Sequence, residues 1–231
     1  MSDAGFLLSA WSSVTTSFLK IYDQLLVALG ETLLMVVFTT FFSFVLGFGL
    51  ACVMIVTGPH GLRPNRKIYG ILDVGVDILR STPFIILLIA IMPLTRIIIG
   101  TGIGTAAVIM PLIVAAAPFA ARLLEANFLE VDRGVVEAAR SFGADNAQII
   151  FRVMLPEALP AIVLNVSVLA VALIGYTAMA GVVGGGGLGD LAFRVGYSRF
   201  QDDVTLWCVL VLVLLVRAIQ MVGNRLYKAL R

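Results

Sequence analysis

Residues 137–156 read EAARSFGADNAQIIFRVMLP, a polar, helix-forming stretch in a chain that is otherwise strongly apolar. Residues 135–142 are good helix formers, and Gly143 follows them. A glycine just past a helix is a common C-terminal stop because it tolerates positive φ. Asp145, with Gln148 three residues on, has capping-box spacing, so a second short helix begins there. Its apolar stripe is Ala147, Ile150, Phe151 and Met154. Leu155-Pro156 closes the stretch, since proline suits the first turn of a following helix. The spacing predicts two short amphipathic helices set at an angle, one apolar face packed on the protein and the other in need of a cover.

Outward from this stretch the chain turns to lipid. Of its 231 residues 60% are hydrophobic and 13% charged, and the mean hydropathy is +1.05. Soluble domains carry about 25% charged residues. So few charges cannot cover a water-facing surface, and the solvent for much of the chain is a bilayer. A net charge of +2 gives no general attraction to nucleic acid. A span needs about 20 apolar residues, and five stretches qualify: 25–56, 68–99, 103–124, 159–183 and 204–223. The expected fold is an all-α membrane protein of about five transmembrane helices, with residues 125–157 as a two-helix cytoplasmic loop. Glycines and prolines interrupt the spans, which a bundle tolerates because neighbouring helices satisfy the freed backbone groups.

Arg63, Arg66 and Lys67 crowd the short loop between the first two spans, which places it in the cytoplasm. Alternation then puts the N-terminus outside, 125–157 inside and the C-terminal tail inside. Of the 16 Lys/Arg, only Lys20, Arg96, Arg194 and Arg199 fall on the outer side. Residues 1–24 open with Asp3 and lack a basic start, so they do not read as a cleaved signal peptide. They read either as an external segment lying at the membrane interface or as a frayed tail. Cys52 and Cys208 sit in apolar runs and read as small core residues. His60, the single histidine, has no second ligand at metal spacing, so no metal site is expected.

The stretch resembles a family signature. Type I importer permeases of the binding-protein-dependent transport family carry E-A-A, three residues, G, nine residues, I, one residue, L-P. Here Glu137-Ala138-Ala139, Gly143, Val153 and Leu155-Pro156 keep every spacing, with valine in place of isoleucine. Residues 80–88, 117–122, 155–160, 175–179 and 181–189 closely resemble the methionine-import permeases, and the likeness runs from about Glu31 onward. It implies the type I ABC importer transmembrane fold and an inner-membrane, multi-pass protein of bacteria. The implied function is import of methionine, including D-methionine and derivatives, by alternating access. Related permeases for other amino acids share much of this pattern. Glu137, Ala138, Ala139, Gly143, Ala144, Leu155 and Pro156 are then the docking loop for a separate ATPase. Two copies of that ATPase would bind ATP and magnesium, so the chain itself carries no cofactor and no catalytic residue. A second copy of the permease, an extracytoplasmic and lipid-anchored substrate-binding protein, and membrane lipid complete the implied partners.

Other features are read from the residues. Asp73, Asp77 and Arg80 fall at i, i+4 and i+7 and share a helix face, giving an ion network near the inner surface or a part of the inner gate. Tyr176 and Met179, three apart beside Gly175, either line a path for a thioether side chain or simply pack. Gly184-x-Gly186-x-x-Gly189 fits the dinucleotide fingerprint, but that mechanism needs a preceding strand and a following helix. It reads instead as a pliable external segment or a tight structural turn. Asn165-Val166-Ser167 is a glycosylation triplet inside a span. An ion-coupled carrier would need ionisable groups deep in the membrane, and four of the five spans have almost none centrally. The rival readings are an ion-coupled secondary transporter or channel, and a structural membrane subunit without transport.

Overall fold

The computed structural model describes the backbone from Asp3 to Arg231 and the side chains from Ile21 onward. The side chains of residues 1–20, and with them most of the expected external segment 1–24, lie outside the described residues. The elements are α1 (Asp3–Thr57), α2 (Arg66–Ser81), α3 (Phe84–Ile99), α4 (Thr105–Leu129), α5 (Arg133–Ser141), α6 (Asn146–Gln148), α7 (Leu155–Val182), α8 (Gly187–Leu191) and α9 (Asp202–Leu230). Two π-helical segments, Ile149–Met154 and Ala192–Tyr197, join α6 to α7 and follow α8. Among the described residues four helices are long and apolar enough to cross a membrane, and α2 with α3, which together are also apolar enough, form a pair bent by 107°.

That bend is where the expected span 68–99 differs from the fold. Pro83 has no N–H and disfavours helical geometry at the residue before it. Thr82 accordingly turns extended (φ −78°, ψ 125°), while its N–H and its hydroxyl both donate to the Ile78 carbonyl, at 3.2 and 2.9 Å. Pro93, Pro111, Pro118 and Pro160 stay inside helices. α4 also runs past the expected boundary at residue 124 and includes Glu125, so the polar loop begins after Leu129. Glu125 can remain in the packed helix because Arg122 and Tyr69 satisfy its carboxylate.

α4 lies at the centre, the most buried of the spans. α1 crosses it with a stripe of inward residues, among them Thr32, Met35, Thr39, Ser43, Gly47, Ala51 and Met54, at helical i, i+3/i+4 spacing. The opposite face of α1, with Val37, Phe41, Val45 and Leu46, is exposed. Lipid supplies no hydrophobic drive between helices, so association rests on close packing of small residues. Gly47 is such a point: a Cβ there would lie 2.7 Å from Ala120 Cβ and 2.9 Å from the Ala117 carbonyl. Asn165 on α7 donates to Asn127 Oδ1 on α4 at 2.8 Å, which occupies the triplet asparagine in a cross-helix bond. Cys52 and Cys208 pack in different clusters, as small core residues.

At one end of the bundle the glycine-rich turn folds onto α1. The Gly187 N–H donates to Glu31 Oε2 at 2.6 Å and the Leu188 N–H to Thr32 Oγ1 at 2.9 Å. A Cβ on Gly181 would stand 2.2 Å from the Asp190 nitrogen, and one on Gly189 would stand 2.3 Å from the Ala178 carbonyl. Backbone lies on backbone, so the segment is a tightly packed turn in this structure. The fingerprint glycines are preceded by helix α7 and not by a strand.

Gly47 and Gly49 share α1, but only Gly47 faces a neighbour; a Cβ on Gly49 meets nothing within 4 Å. Gly47→Leu is therefore expected to cost at least about 1–3 kcal/mol through overpacking, read as a lower melting midpoint of the detergent-solubilised protein. Gly49→Leu should leave that midpoint unchanged, and equal losses in both variants would contradict the packing.

Candidate functional site

The candidate docking segment is built from its caps. Asp132 accepts from the Gly134 and Val135 N–H groups at 2.6 and 3.3 Å and starts α5. Gly143 then stands at φ +83°. The Ala144 N–H reaches back to the Ala139 carbonyl at 3.1 Å, which closes the helix end. The capping box is present as expected: the Gln148 N–H donates to Asp145 Oδ1 at 2.8 Å, and the Asp145 N–H donates to Gln148 Oε1 at 3.1 Å.

Beyond this point the structure departs from the expected second short helix. α6 runs through the π-helical segment into α7, so helix continues from Asn146 to Val182 without stopping at Leu155-Pro156. The Leu155 N–H bonds five residues back, to Ile150. The wider π turn ahead of Pro156 relieves the clash a proline ring makes with the preceding turn. It also rotates the inward face. Ile149, Ile150 and Met154 are buried, Ala147 is exposed, and Phe151 is 54% exposed with its ring 6.0 Å from that of Phe48, so the expected stripe is fully buried only at Ile150 and Met154.

Of the docking residues, Glu137, Ala138, Gly143 and Pro156 are exposed, while Ala139, Ala144 and Leu155 pack against the cluster of Ile149, Ile150 and Met154. Phe142, at 91% exposure, is the most outstanding apolar group of the segment. Sequence reasoning missed it as a contact; its signal was an aromatic residue directly before the helix-ending glycine. α5 and α6 thus show a bent, solvent-facing edge with a free carboxylate, a small residue and a ring.

The ion network has a different centre from the one expected. Arg80 reaches Asp77 only at 3.7 Å, and both side chains are well exposed. The central cation is Arg122 of α4, whose side chain is 19% exposed. Its Nη2 donates to Asp73 and, at 2.9 Å, to Asp77; its Nη1 donates to Glu125 Oε2 at 2.9 Å. The Tyr69 hydroxyl completes the cluster by donating to Glu125 Oε1 at 3.1 Å. Arg80 stands outside because it lies where α2 ends, past the crossing with α4. The sequence signal for the missing partners was Tyr69, one turn ahead of Asp73 on the same face, and Arg122 three residues from Glu125.

Tyr176 stacks on Phe84 with centroids 4.7 Å apart and planes 7° from parallel. It lines a cavity of about 150 Å³ with Leu79, Arg80, Thr82, Ala115 and Phe119, at the α2–α3 bend. Met179 lies outside that lining and is 50% exposed, so the two path residues are not brought to one cavity.

Removing Arg122 leaves Glu125 buried without its cation. Arg122→Met should therefore cost about 3–5 kcal/mol, the usual penalty for breaking a buried pair, while Arg80→Met at an exposed pair should cost less than about 1 kcal/mol. Thermal or denaturant midpoints of the purified variants in detergent would separate the two, and a larger loss at Arg80 would refute the placement of the network.

Residues 43–231 match the family described as binding-protein-dependent transport system inner membrane component. The chain is 46% identical over 206 residues to the probable D-methionine transport system permease protein MetI of Vibrio cholerae, covering 89% of this chain and 92% of that protein. It is 41% identical over 172 residues to the methionine import system permease protein MetP of Bacillus subtilis, covering 74% and 78% respectively. A chain of the inward-facing MetNI methionine ABC transporter superposes with a TM-score of 0.90 at 42% identity, covering 92% of this chain and 98% of that one. The helical architecture and these likenesses agree: the chain belongs to the family of binding-protein-dependent transport system inner membrane components.

Proposed function

We propose that this chain is the permease subunit of an ATP-driven methionine importer, D-methionine and derivatives included, working by alternating access. The observation that carries the reading is the docking segment, with Glu137, Ala138 and Phe142 standing exposed around the Gly143 bend. The relatives named for methionine transport support the cargo. In this reading ATP and magnesium are bound and ATP hydrolysed by a separate ATPase, two copies of which engage two docking segments. The path lies between two copies of the permease, because a bundle of about five spans encloses little volume by itself. Arg63, Arg66, Lys67, Arg133, Arg140, Arg152 and the C-terminal Arg225, Lys228 and Arg231 favour the cytoplasm at their end, with the N-terminus outside. A substrate-binding protein, lipid-anchored, delivers cargo at the opposite face. Tyr176 and Met179 are candidate path residues, and Arg80 stands at the mouth of the Tyr176 cavity.

Replacing Glu137 and Gly143 together by arginine and valine is expected to release the ATPase from the purified complex and to abolish uptake by vesicles. An ATPase that still copurifies would sink the docking role. Excess unlabelled methionine should abolish uptake of radiolabelled methionine in the parent, and uptake indifferent to that competition would refute the cargo.

A further inference from the structure

The docking helix α5 is joined to the bundle on two sides, and the two joints differ in kind. On one side Val136 and Ala139 pack on the cluster of Ile150 and Met154. On the other, a cavity of about 230 Å³ separates α5 from the α1–α2 connection, lined by His60, Gly61, Leu62, Val136, Glu137 and Arg140 among others. Across this gap the Arg140 guanidinium donates from Nη2 to the Leu62 carbonyl at 2.7 Å.

The connection that receives this bond is stiff. Leu62 N–H donates to Ile55, Arg63 N–H to Val56 and Asn65 N–H to Thr57, at 3.3, 2.8 and 2.8 Å, which folds the turn back on the end of α1. A Cβ on Gly61 would lie 2.3 Å from the Ile55 carbonyl, so there is no slack in the turn. Asn65 then caps α2 through the Lys67 and Ile68 N–H groups, each at 3.2 Å. Displacing Leu62 displaces the start of α2.

α2 has little else to hold it. Val76 is its one buried residue, and Ile71, Val74 and Ile78 are exposed on its outer side. Apart from Val76 and Leu79, which pack inward, its lateral attachment is polar: Arg122 on Asp73 and Asp77, with Tyr69 on Glu125. Its far end is the 107° bend to α3, where the Tyr176 cavity lies.

We propose that Arg140 and Arg122 are positioning residues for energy coupling, two links in series that make α2, and with it the α2–α3 bend, follow the docking helix. This rests on the ATPase-docking reading of α5 given above. Arg140 passes the movement of α5 to the α1–α2 turn. Arg122 makes α2 pivot against α4 instead of sliding, because sliding would pull Asp73 and Asp77 off the guanidinium and the Tyr69 hydroxyl off the buried Glu125 carboxylate.

The test uses the complete transporter, permease with its ATPase, reconstituted in vesicles, with ATP hydrolysis and labelled methionine uptake measured on one preparation. Arg140→Met keeps the apolar stem and removes the donors at an exposed site, so folding is preserved. The complex should still copurify with its ATPase and still hydrolyse ATP, while moving roughly five-fold less methionine per ATP, at the lower end of ordinary allosteric coupling. Arg140→Lys keeps one donor for the Leu62 carbonyl and should recover more than half of the lost ratio. Arg122→Lys cannot span three carboxylates and should lower the ratio similarly. Links in series predict that the Arg140→Met, Arg122→Lys double variant is no worse than the poorer single one.

A second readout does not depend on cargo. In a background with Cys52 and Cys208 replaced by alanine, spin labels at Ile71 and Leu214 should change separation on ATP binding in the parent and not in Arg140→Met. An unchanged ratio of uptake to hydrolysis, an α2 that still moves, or a double variant whose losses multiply would each overturn the proposal. Loss of the ATPase from Arg140→Met alone would make Arg140 a docking contact and overturn it too. An ATPase retained by the Glu137, Gly143 double variant would instead refute the docking reading, so the two failures are distinguishable.

Discussion

A guanidinium held against an apolar bundle has few places to be. Arg122 sits on α4, the most buried span, and its side chain is only 19% exposed. A charge there is tolerated only with partners that neutralise it and take up its hydrogen bonds. Glu125 on the same helix provides one, and the others come from α2, whose Asp73 and Asp77 must therefore face α4. That requirement fixes the rotation of α2 and leaves its isoleucine face outward. The direction in which α3 departs follows, because Pro83 breaks the helix at a set distance beyond the anchored turns. The bend then carries Phe84 onto Tyr176 and opens the cavity beside them.

The two ends of the bundle solve the problem of irregular backbone in different ways. At the glycine-rich end, peptide groups that leave the helix are met by Glu31 and Thr32 of α1, and absent side chains let backbone approach backbone. Buried N–H groups without partners would each be costly in a low-dielectric setting. At the α5–α6 end the chain instead uses local caps, Asp132 and the Asp145–Gln148 box, which ask nothing of distant residues. A segment with self-sufficient ends can be held by a few contacts, and α5 spans a cavity on one side while keeping its outer edge exposed.

Local signals were legible in proportion to how local their physics is. The apolar stretches follow from composition, the Gly143 stop from positive φ, and the capping box from three-residue spacing; the stop and the box stand where the residues put them, while the helices differ from the expected spans in their ends and at the α2–α3 bend. The inward stripe after Gln148 was misread because α-helical spacing was applied to a π-helical turn, which carries Ile149 inward and Phe151 outward. The ion network was half read: the acidic face of α2 was visible, but its cation lies 49 residues from Asp73 and 45 from Asp77. No periodicity within α2 could name it, and Arg80 was only the nearest basic residue in sequence.

By itself the sequence determined that the chain lives in lipid, which stretches are apolar enough to cross it, where its polar loop caps and bends, and which family it resembles. Those properties depend on composition, on backbone dihedrals and on hydrogen bonds made within a few residues. The tertiary structure decided that the second span is broken into two helices at 107°, that Arg122 and not Arg80 anchors α2, and that Tyr176 shares a cavity with the bend while Met179 does not. It also decided that Arg140 reaches the Leu62 carbonyl across 78 residues. Each of these depends on which helix faces which. In a bundle with little hydrophobic drive between its members, that choice is made by small-residue contact and by the pairing of buried charge.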